Sequence, residues 1–147
     1  MLPEPYRLHH RADFSRTVRR GQRIGRRDLV VHVFTHQVGC AVGHAPASKQ
    51  GYDGVVDMSE PHGDPAAVSI RVGGPRFGLI VSKAVGNAVI RHRVARRLRH
   101  MCHQMISELP SDTDVVIRAL PGAADASSAE LLRQMRTAMR KLGVGTV

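Results

Sequence analysis

A single stretch, from residue 88 to about residue 108, limits what this chain can fold into more than any other. It predicts a long helix that begins after Asn87, a favoured N-cap residue, and ends before Pro110. At 100° per residue its large apolar side chains fall within a stripe about 80° wide. They are Ile90, Val94, Leu98, Met101 and Met105. Such a stripe has to be buried, so the sequence predicts a long helix that packs on a sheet.

The rest of this helix surface is strongly basic. Five arginines stand between positions 91 and 99, and no acidic residue precedes Glu108 in the helix. An ordinary surface helix would place acidic residues four positions away to offset the repulsion, so their absence favours an anionic partner. Guanidinium groups pair with phosphate oxygens and stack on bases, which points to nucleic acid; the simpler interpretation is a solvated basic face. Opposite the apolar stripe lie Arg93, Arg96, Arg99, His92, His100 and His103, while Arg91 and Arg97 flank it.

The excess positive charge is concentrated in two segments. The 147 residues carry 22 Lys and Arg against 12 Asp and Glu, a net charge of +10. Residues 1–35 hold eight basic and three acidic residues, and residues 76–107 hold seven basic and none acidic. A surface that served only solubility would mix both signs, so this segregation indicates a binding surface.

Several classes of protein are excluded by what the sequence lacks. No apolar run approaches the roughly 18–20 residues of a membrane span, and the N-terminus shows no secretory signal pattern. Cys40 and Cys102 stand 62 positions apart, which predicts neither a disulfide framework nor a cysteine zinc site. We therefore expect one soluble domain over residues 1–147, in the cytoplasm, without a membrane partner.

The remaining elements follow from β-branched runs, caps and turn residues. We expect a helix over 11–20, strands over 28–35, 76–82 and 114–120, and a last helix from Ser127 or Ser128 to about 142. This order predicts an α/β fold, an α+β sandwich around one small mixed sheet. Residues 36–75 contain seven Gly and four Pro, which predicts a flexible insertion with at most one extra strand. An inert linker is its simplest interpretation.

No catalytic or metal site is evident in the sequence. His100 and His103 are spaced to share a helix face, but no paired Cys or His-Glu-x-x-His motif supports a metal site. Asp112 and Asp114 stand at the start of a strand and are interpreted as turn residues. We expect no catalytic residue in this chain, no bound metal and no small-molecule substrate.

A specific motif runs through residues 78–99. It reads GLIVSKAVGNAVIRHRVARRLR, a strand ending in Ser-Lys, then Val-Gly-Asn-Ala-Val, then the arginine-rich helix. This pattern resembles the signature of the protein subunit of bacterial ribonuclease P. Asp13 and Phe14 on the first helix, and the Asp-Val-Val-Ile-Arg-Ala strand at 114–119, agree with that family.

The resemblance covers about residues 5–35 and 76–142, with four departures from the family's usual residues. They are His92 for Asn, Ala95 for Lys, Val18 for a second Phe and His32 for Tyr. The last two change side chains that would stack on single-stranded RNA, although imidazole also stacks.

The resemblance implies both a fold and a division of labour. The fold would be ribosomal-protein-S5-like and two-layered, with a left-handed β-α-β crossover around the long helix, against the usual right-handed rule. A catalytic RNA subunit would use Mg²⁺ to hydrolyse one phosphodiester and release the 5′ leader of precursor tRNA. The protein would dock on that RNA through Lys83, Asn87, Arg91, His92, Arg93, Arg96, Arg97 and Arg99. It would hold the single-stranded leader through Arg11, Phe14, Val18, His32 and Phe34.

Three alternatives remain open from the residues alone. A ribosomal-RNA-binding protein of similar shape would have the same basic helix and no role in cleavage. A DNA-binding regulator would place the helix in a major groove, but no short helix-turn-helix precedes it. A protein-only nuclease would need a carboxylate cluster for Mg²⁺, which the sequence does not show.

Overall fold

The computed structural model of the chain describes residues 2–36 and 74–144. The helices are α1 (Arg11–Arg20), α2 (Ala88–Met105) and α3 (Ser128–Lys141). The strands are β1 (Gln22–Gly25), β2 (Leu29–Thr35), β3 (Arg76–Val81) and β4 (Thr113–Ala119). Short 3-10 turns span Glu4–Tyr6, Lys83–Val85, Ile106–Glu108 and Pro121–Ala124. The predicted insertion at 36–75 lies, apart from its ends, outside the described residues.

The predicted helices and strands are confirmed, and one strand was missed. Strand β1 is short and mostly exposed, so its residues carry no apolar alternation that marks a strand. It exists because it pairs antiparallel with β2, from Gln22 opposite Val33 to Gly25 opposite Val30. Tertiary pairing therefore creates an element that local sequence does not signal.

The four strands form one mixed sheet in the order β1-β2-β4-β3. Strand β2 is antiparallel to both β1 and β4, whereas β3 and β4 run parallel. Parallel neighbours need a crossover connection, and α2 provides it between β3 and β4. The mixed α/β architecture is confirmed, while the left-handed sense of this crossover stays a prediction.

One face of the sheet carries the hydrophobic core. The predicted α2 stripe is confirmed: Val94 and Leu98 are fully buried, Met101 and Met105 are 1% exposed, and Ile90 is partly buried beside them. Leu29, Val31 and Val33 project from β2 toward the same core. The core also contains buried side chains of α3, namely Leu131, Met135, Ala138 and Met139. α2 and α3 therefore form one layer on this face.

Helix α1 lies across the other face of the sheet. Thr17 is fully buried there, and the ring of Phe14 packs directly on Gly78 of β3. A Cβ at Gly78 would collide with that ring unless the ring shifted, so glycine at this position allows the close approach of α1. The sheet thus separates α1 from the long basic helix α2.

Candidate nucleic-acid interface

The start of α2 is set by two local features. The side-chain oxygen of Asn87 accepts a hydrogen bond from the Ile90 amide at 3.0 Å, which caps the helix as predicted. Gly86 has φ +154°, and a Cβ there would press on the Ile90 side chain at 3.0 Å. The chain can therefore turn sharply from β3 into α2 only with glycine at this point.

The predicted docking residues, which we call the docking surface, differ in exposure. Lys83, Asn87, His92, Arg93 and Arg96 are exposed, whereas Arg91, Arg97 and Arg99 are half-buried. Arg97 Nη1 donates a hydrogen bond to the Ala126 carbonyl at 3.1 Å. Arg91 Nε is buried and has no hydrogen-bond partner among the described residues. The guanidinium groups beside the apolar stripe are thus held near the body of the protein.

A cleft of about 770 Å³ runs along the basic side of α2. Five docking residues line it, together with Arg7, His100 and Ser128. No carboxylate is among its lining residues, so the lining of the cleft is electropositive. Arg7 and Ser128 were not predicted, because they come from the N-terminal segment and from α3. No sequence signal places either of them beside α2.

The second surface, the α1 cleft, lies between α1 and the free part of the opposite sheet face. The three predicted α1 residues, Arg11, Phe14 and Val18, are spaced by three and four positions and share one side of the helix. Val18 is 38% exposed and Phe14 is half-buried. An aromatic ring and an aliphatic side chain thus stand at the edge of the sheet, with an arginine beside them.

An ionic network fixes α1 to the sheet. The Arg76 guanidinium donates two hydrogen bonds of 2.9 Å to the Asp114 carboxylate and one of 3.1 Å to Asp13 of α1. Burial opposes the charge of Arg76, but these carboxylates outweigh it and the pKa of Arg76 is raised. Asp114 is 1% exposed and belongs to β4, so its interpretation as a turn residue was wrong. Its hydrogen-bond partners are distant in the sequence, so the residues around Asp114 do not predict them.

His32 lies beneath α1 rather than open to solvent. It is 6% exposed and forms a hydrogen bond with the backbone of Val18. Burial lowers the pKa of His32, and the charges of Arg23 and Arg118 lower it further, against that hydrogen bond. Its Nδ1 is buried without a hydrogen-bond partner in the part of the chain that the structure describes. The ring therefore offers little surface to a base.

Phe34 lies apart from the other predicted leader-binding residues. Phe34 is on the α1 face of β2. Along that strand it lies on one side of His32, and Val30 lies on the other side. Its ring meets His36 edge-on, with centroids 4.7 Å apart. The structure thus places Phe14 on Gly78 and His32 beside the Val18 backbone, and it leaves Phe34 beside the ionic network.

Neither a metal centre nor a membrane span is found in the part of the chain that the structure describes. Within residues 2–36 and 74–144, no three His, Cys, Asp or Glu side chains are close enough to hold a metal ion. No helix in the same ranges is both long and apolar enough to cross a membrane.

An arginine-lined surface on one side of a small sheet and a helix-walled cleft on the other define a nucleic-acid-binding α/β protein.

Comparison with known proteins narrows this class to one family. The family described as Ribonuclease P matches residues 2–143. The ribonuclease P protein component of Nocardia farcinica is 68% identical over 146 residues, which cover 98% of this chain and 85% of that protein. The same component of a Mycobacterium species (strain KMS) is 41% identical over 141 residues, covering 96% and 92%.

Solved structures show the same fold at low sequence identity. The RNase P protein of Staphylococcus aureus superimposes with a TM-score of 0.65 at 20% identity, covering 96% of this chain and 98% of that one. The protein from Thermotoga maritima gives 0.60 at 14% identity, covering 92% and 96%.

The chain belongs to the ribonuclease P protein family. Its role is that of the protein component of the ribonuclease P holoenzyme, in tRNA processing, which implies a partner RNA subunit. Membership confirms the resemblance drawn from residues 78–99. It gives no support to the alternative of a ribosomal-RNA-binding protein without a role in cleavage.

Proposed function

We propose that this protein docks on the ribonuclease P RNA through α2 and holds the 5′ leader of precursor tRNA in the α1 cleft. The RNA subunit carries the catalytic centre, and the holoenzyme hydrolyses one phosphodiester in the cytoplasm. The observation that carries the proposal is the placement of the two surfaces. They lie on opposite faces of one sheet, so two different RNA segments can bind at once.

The docking surface is suited to structured RNA. Its arginines lie along one helix, and Arg93, Arg96, Arg97 and Arg99 border a cleft whose lining has no carboxylate. None of them forms an ion pair with a carboxylate of the described residues, whereas Arg76 and Arg136 each pair with an acid. Guanidinium groups left without acidic partners are available to phosphates.

The α1 cleft is suited to a single strand. Phe14 and Val18 present apolar surface at its edge, where bases can pack, and Arg11 stands on the same side of α1. His32 offers little direct contact, since its own ring is 6% exposed. Base contact in the cleft therefore depends on Phe14 more than on His32.

The Mg²⁺ ions of the reaction are assigned mainly to the RNA subunit. The described residues contain no group of His, Cys, Asp and Glu that could hold a metal ion, so this part of the protein does not fit a metal site. Its contribution is binding and positioning of RNA, which lowers the demand on the metal ions to screen phosphates.

A reconstitution assay tests the proposal. The full chain is mixed with a bacterial ribonuclease P RNA and precursor tRNA at low Mg²⁺, and cleavage is followed with and without protein. Cleavage at the mature 5′ end that depends on the protein is expected. Binding to the RNA without any rescue of cleavage would contradict the proposed role.

Variants of the docking surface separate assembly from folding. Arg91→Ala and Arg93→Ala should weaken binding to the RNA subunit, since each removes a cation from the helix that docks. Arg140→Ala is the matched control. Arg140 is exposed at the C-terminal end of α3, about 18 Å along the helix from Ser128, the α3 residue that lines the cleft. Unchanged RNA-subunit binding in both docking variants would remove α2 from the interface.

A further inference from the structure

The sheet face beside α1 has a row of residues that no helix covers. On this face Arg118 of β4 lies opposite Val30 of β2 and beside Ile80 of β3. Val30 and Ile80 are half-buried, and Arg118 is exposed. A charged side chain thus stands on an inner strand of the sheet, with its aliphatic stem between two aliphatic neighbours.

A second arginine projects from the same face. Arg23 of β1 pairs with His32 of β2, so the two side chains point to the same side of the sheet. Arg23 is exposed, and both it and Arg118 lower the pKa of His32, which places both cations near that ring. The two arginines therefore flank His32 along the floor of the α1 cleft.

Neither arginine has an acidic partner among the described residues. The carboxylates on this face, Asp13 and Asp114, are already bound to Arg76. Arg23 and Arg118 are instead directed to solvent.

We propose that Arg23 and Arg118 bind phosphates of the single-stranded leader and hold its backbone over Val30 and Ile80. Bases would then turn toward Phe14 and Val18 at the wall of the cleft. This combination of a cationic track and apolar platforms is how sequence-tolerant single-strand binding is built. The inference rests on the proposed function of the α1 cleft and assigns its phosphate contacts.

The test measures how strongly binding depends on salt. Holoenzyme is assembled with the wild-type chain, Arg23→Met, Arg118→Met or the double variant, and its affinity for precursor tRNA with and without a leader is measured over a range of salt. Met keeps an aliphatic stem on the sheet and removes the charge, so folding is preserved; thermal unfolding of each variant checks this. Arg140→Ala is the control for loss of one positive charge.

For a single strand, each lost phosphate contact should make the slope of log K against log salt shallower by about 0.7. In the double variant the slope should therefore be shallower by about 1.4. The reduction should appear only for substrate with a leader, and the control should keep the wild-type slope. If the wild type prefers substrate with a leader but the double variant keeps the wild-type slope, this inference is overturned and the proposed function of the cleft stands.

Two further outcomes are distinguishable. If the wild type binds substrates with and without a leader equally, the proposed function of the cleft fails, and this inference fails with it. If the double variant loses the same slope with both substrates, the arginines contact the tRNA body or the RNA subunit instead, and the inference is overturned while the cleft can keep its role.

Discussion

Replacing Gly78 by alanine would test whether the fit of α1 on the sheet positions the leader-binding side chains. The Phe14 ring packs directly on Gly78, and a Cβ at Gly78 would overlap the far end of that ring. Gly78 is itself buried, so strand β3 cannot move aside easily. The Phe14 ring would have to move away from the sheet.

Two effects of opposite sign decide the magnitude. Overpacking of a filled site costs about 1–3 kcal/mol, whereas replacing glycine within a strand recovers about 0.5–1 kcal/mol of backbone entropy. Gly78→Ala should therefore lower the free energy of unfolding by about 1 kcal/mol. In a Phe14→Ala background the collision is absent, so the same change should be neutral or stabilising by about 0.5–1 kcal/mol.

Urea unfolding of the wild type, the two single variants and the double variant completes the cycle. We expect a coupling energy between the two positions of about 1–3 kcal/mol, in the range found for residues in contact. In the holoenzyme, Gly78→Ala should reduce the preference for substrate with a leader and leave RNA-subunit affinity unchanged. Equal effects of Gly78→Ala in both backgrounds would refute the reasoning, since Phe14 would then not be the group that glycine accommodates.

Four other perturbations have defined outcomes. Phe14→Ala should spare assembly with the RNA subunit and weaken leader binding by about 1–3 kcal/mol, measured as the affinity difference between substrates with and without a leader. Asp114→Asn should lower the free energy of unfolding by about 3 kcal/mol in urea, because it leaves Arg76 without its principal partner, whereas Asp112→Asn should change it little. The pKa of His32 lies below 6.5, by burial first and then by two nearby arginines, so protons bind the unfolded chain more readily. The free energy of unfolding should therefore fall as the pH drops below about 6.5. In the same urea assay, His32→Gln should lose less free energy of unfolding between pH 7 and pH 5 than the wild type. Sulfate or phosphate should raise the melting temperature, because the net charge of +10 opposes compaction; a melting temperature insensitive to these anions would contradict this.

The long helix shows how far local pattern reaches. Its cap at Asn87, its buried stripe and its basic face are properties of one continuous segment, and each was predicted before any tertiary contact was known. The same holds for α3, whose Ser127 side chain accepts a hydrogen bond from the Glu130 amide at 3.2 Å. Helical periodicity and caps act over a few residues, so they can be read from the chain directly.

The details of the α1 cleft could not be read in this way. His32 was predicted to face RNA, and only its burial beneath α1 shows that its ring is covered. Arg23 and Arg118 stand 95 positions apart in the chain, yet the register of three strands places both beside His32. Such a grouping depends on strand pairing, which has no local signature.

The kind of molecule and its family can be read from the residues alone: an α/β protein with a cationic helix, carrying a motif specific enough to identify ribonuclease P. Which side chains meet depends on chain folding. It buried Asp114 with Arg76, set Arg7 beside α2 and separated the docking surface from the α1 cleft by the thickness of the sheet. The physical reason is range: charge, caps and periodicity act between near neighbours in the chain, whereas a binding surface is assembled from residues that only chain folding brings together.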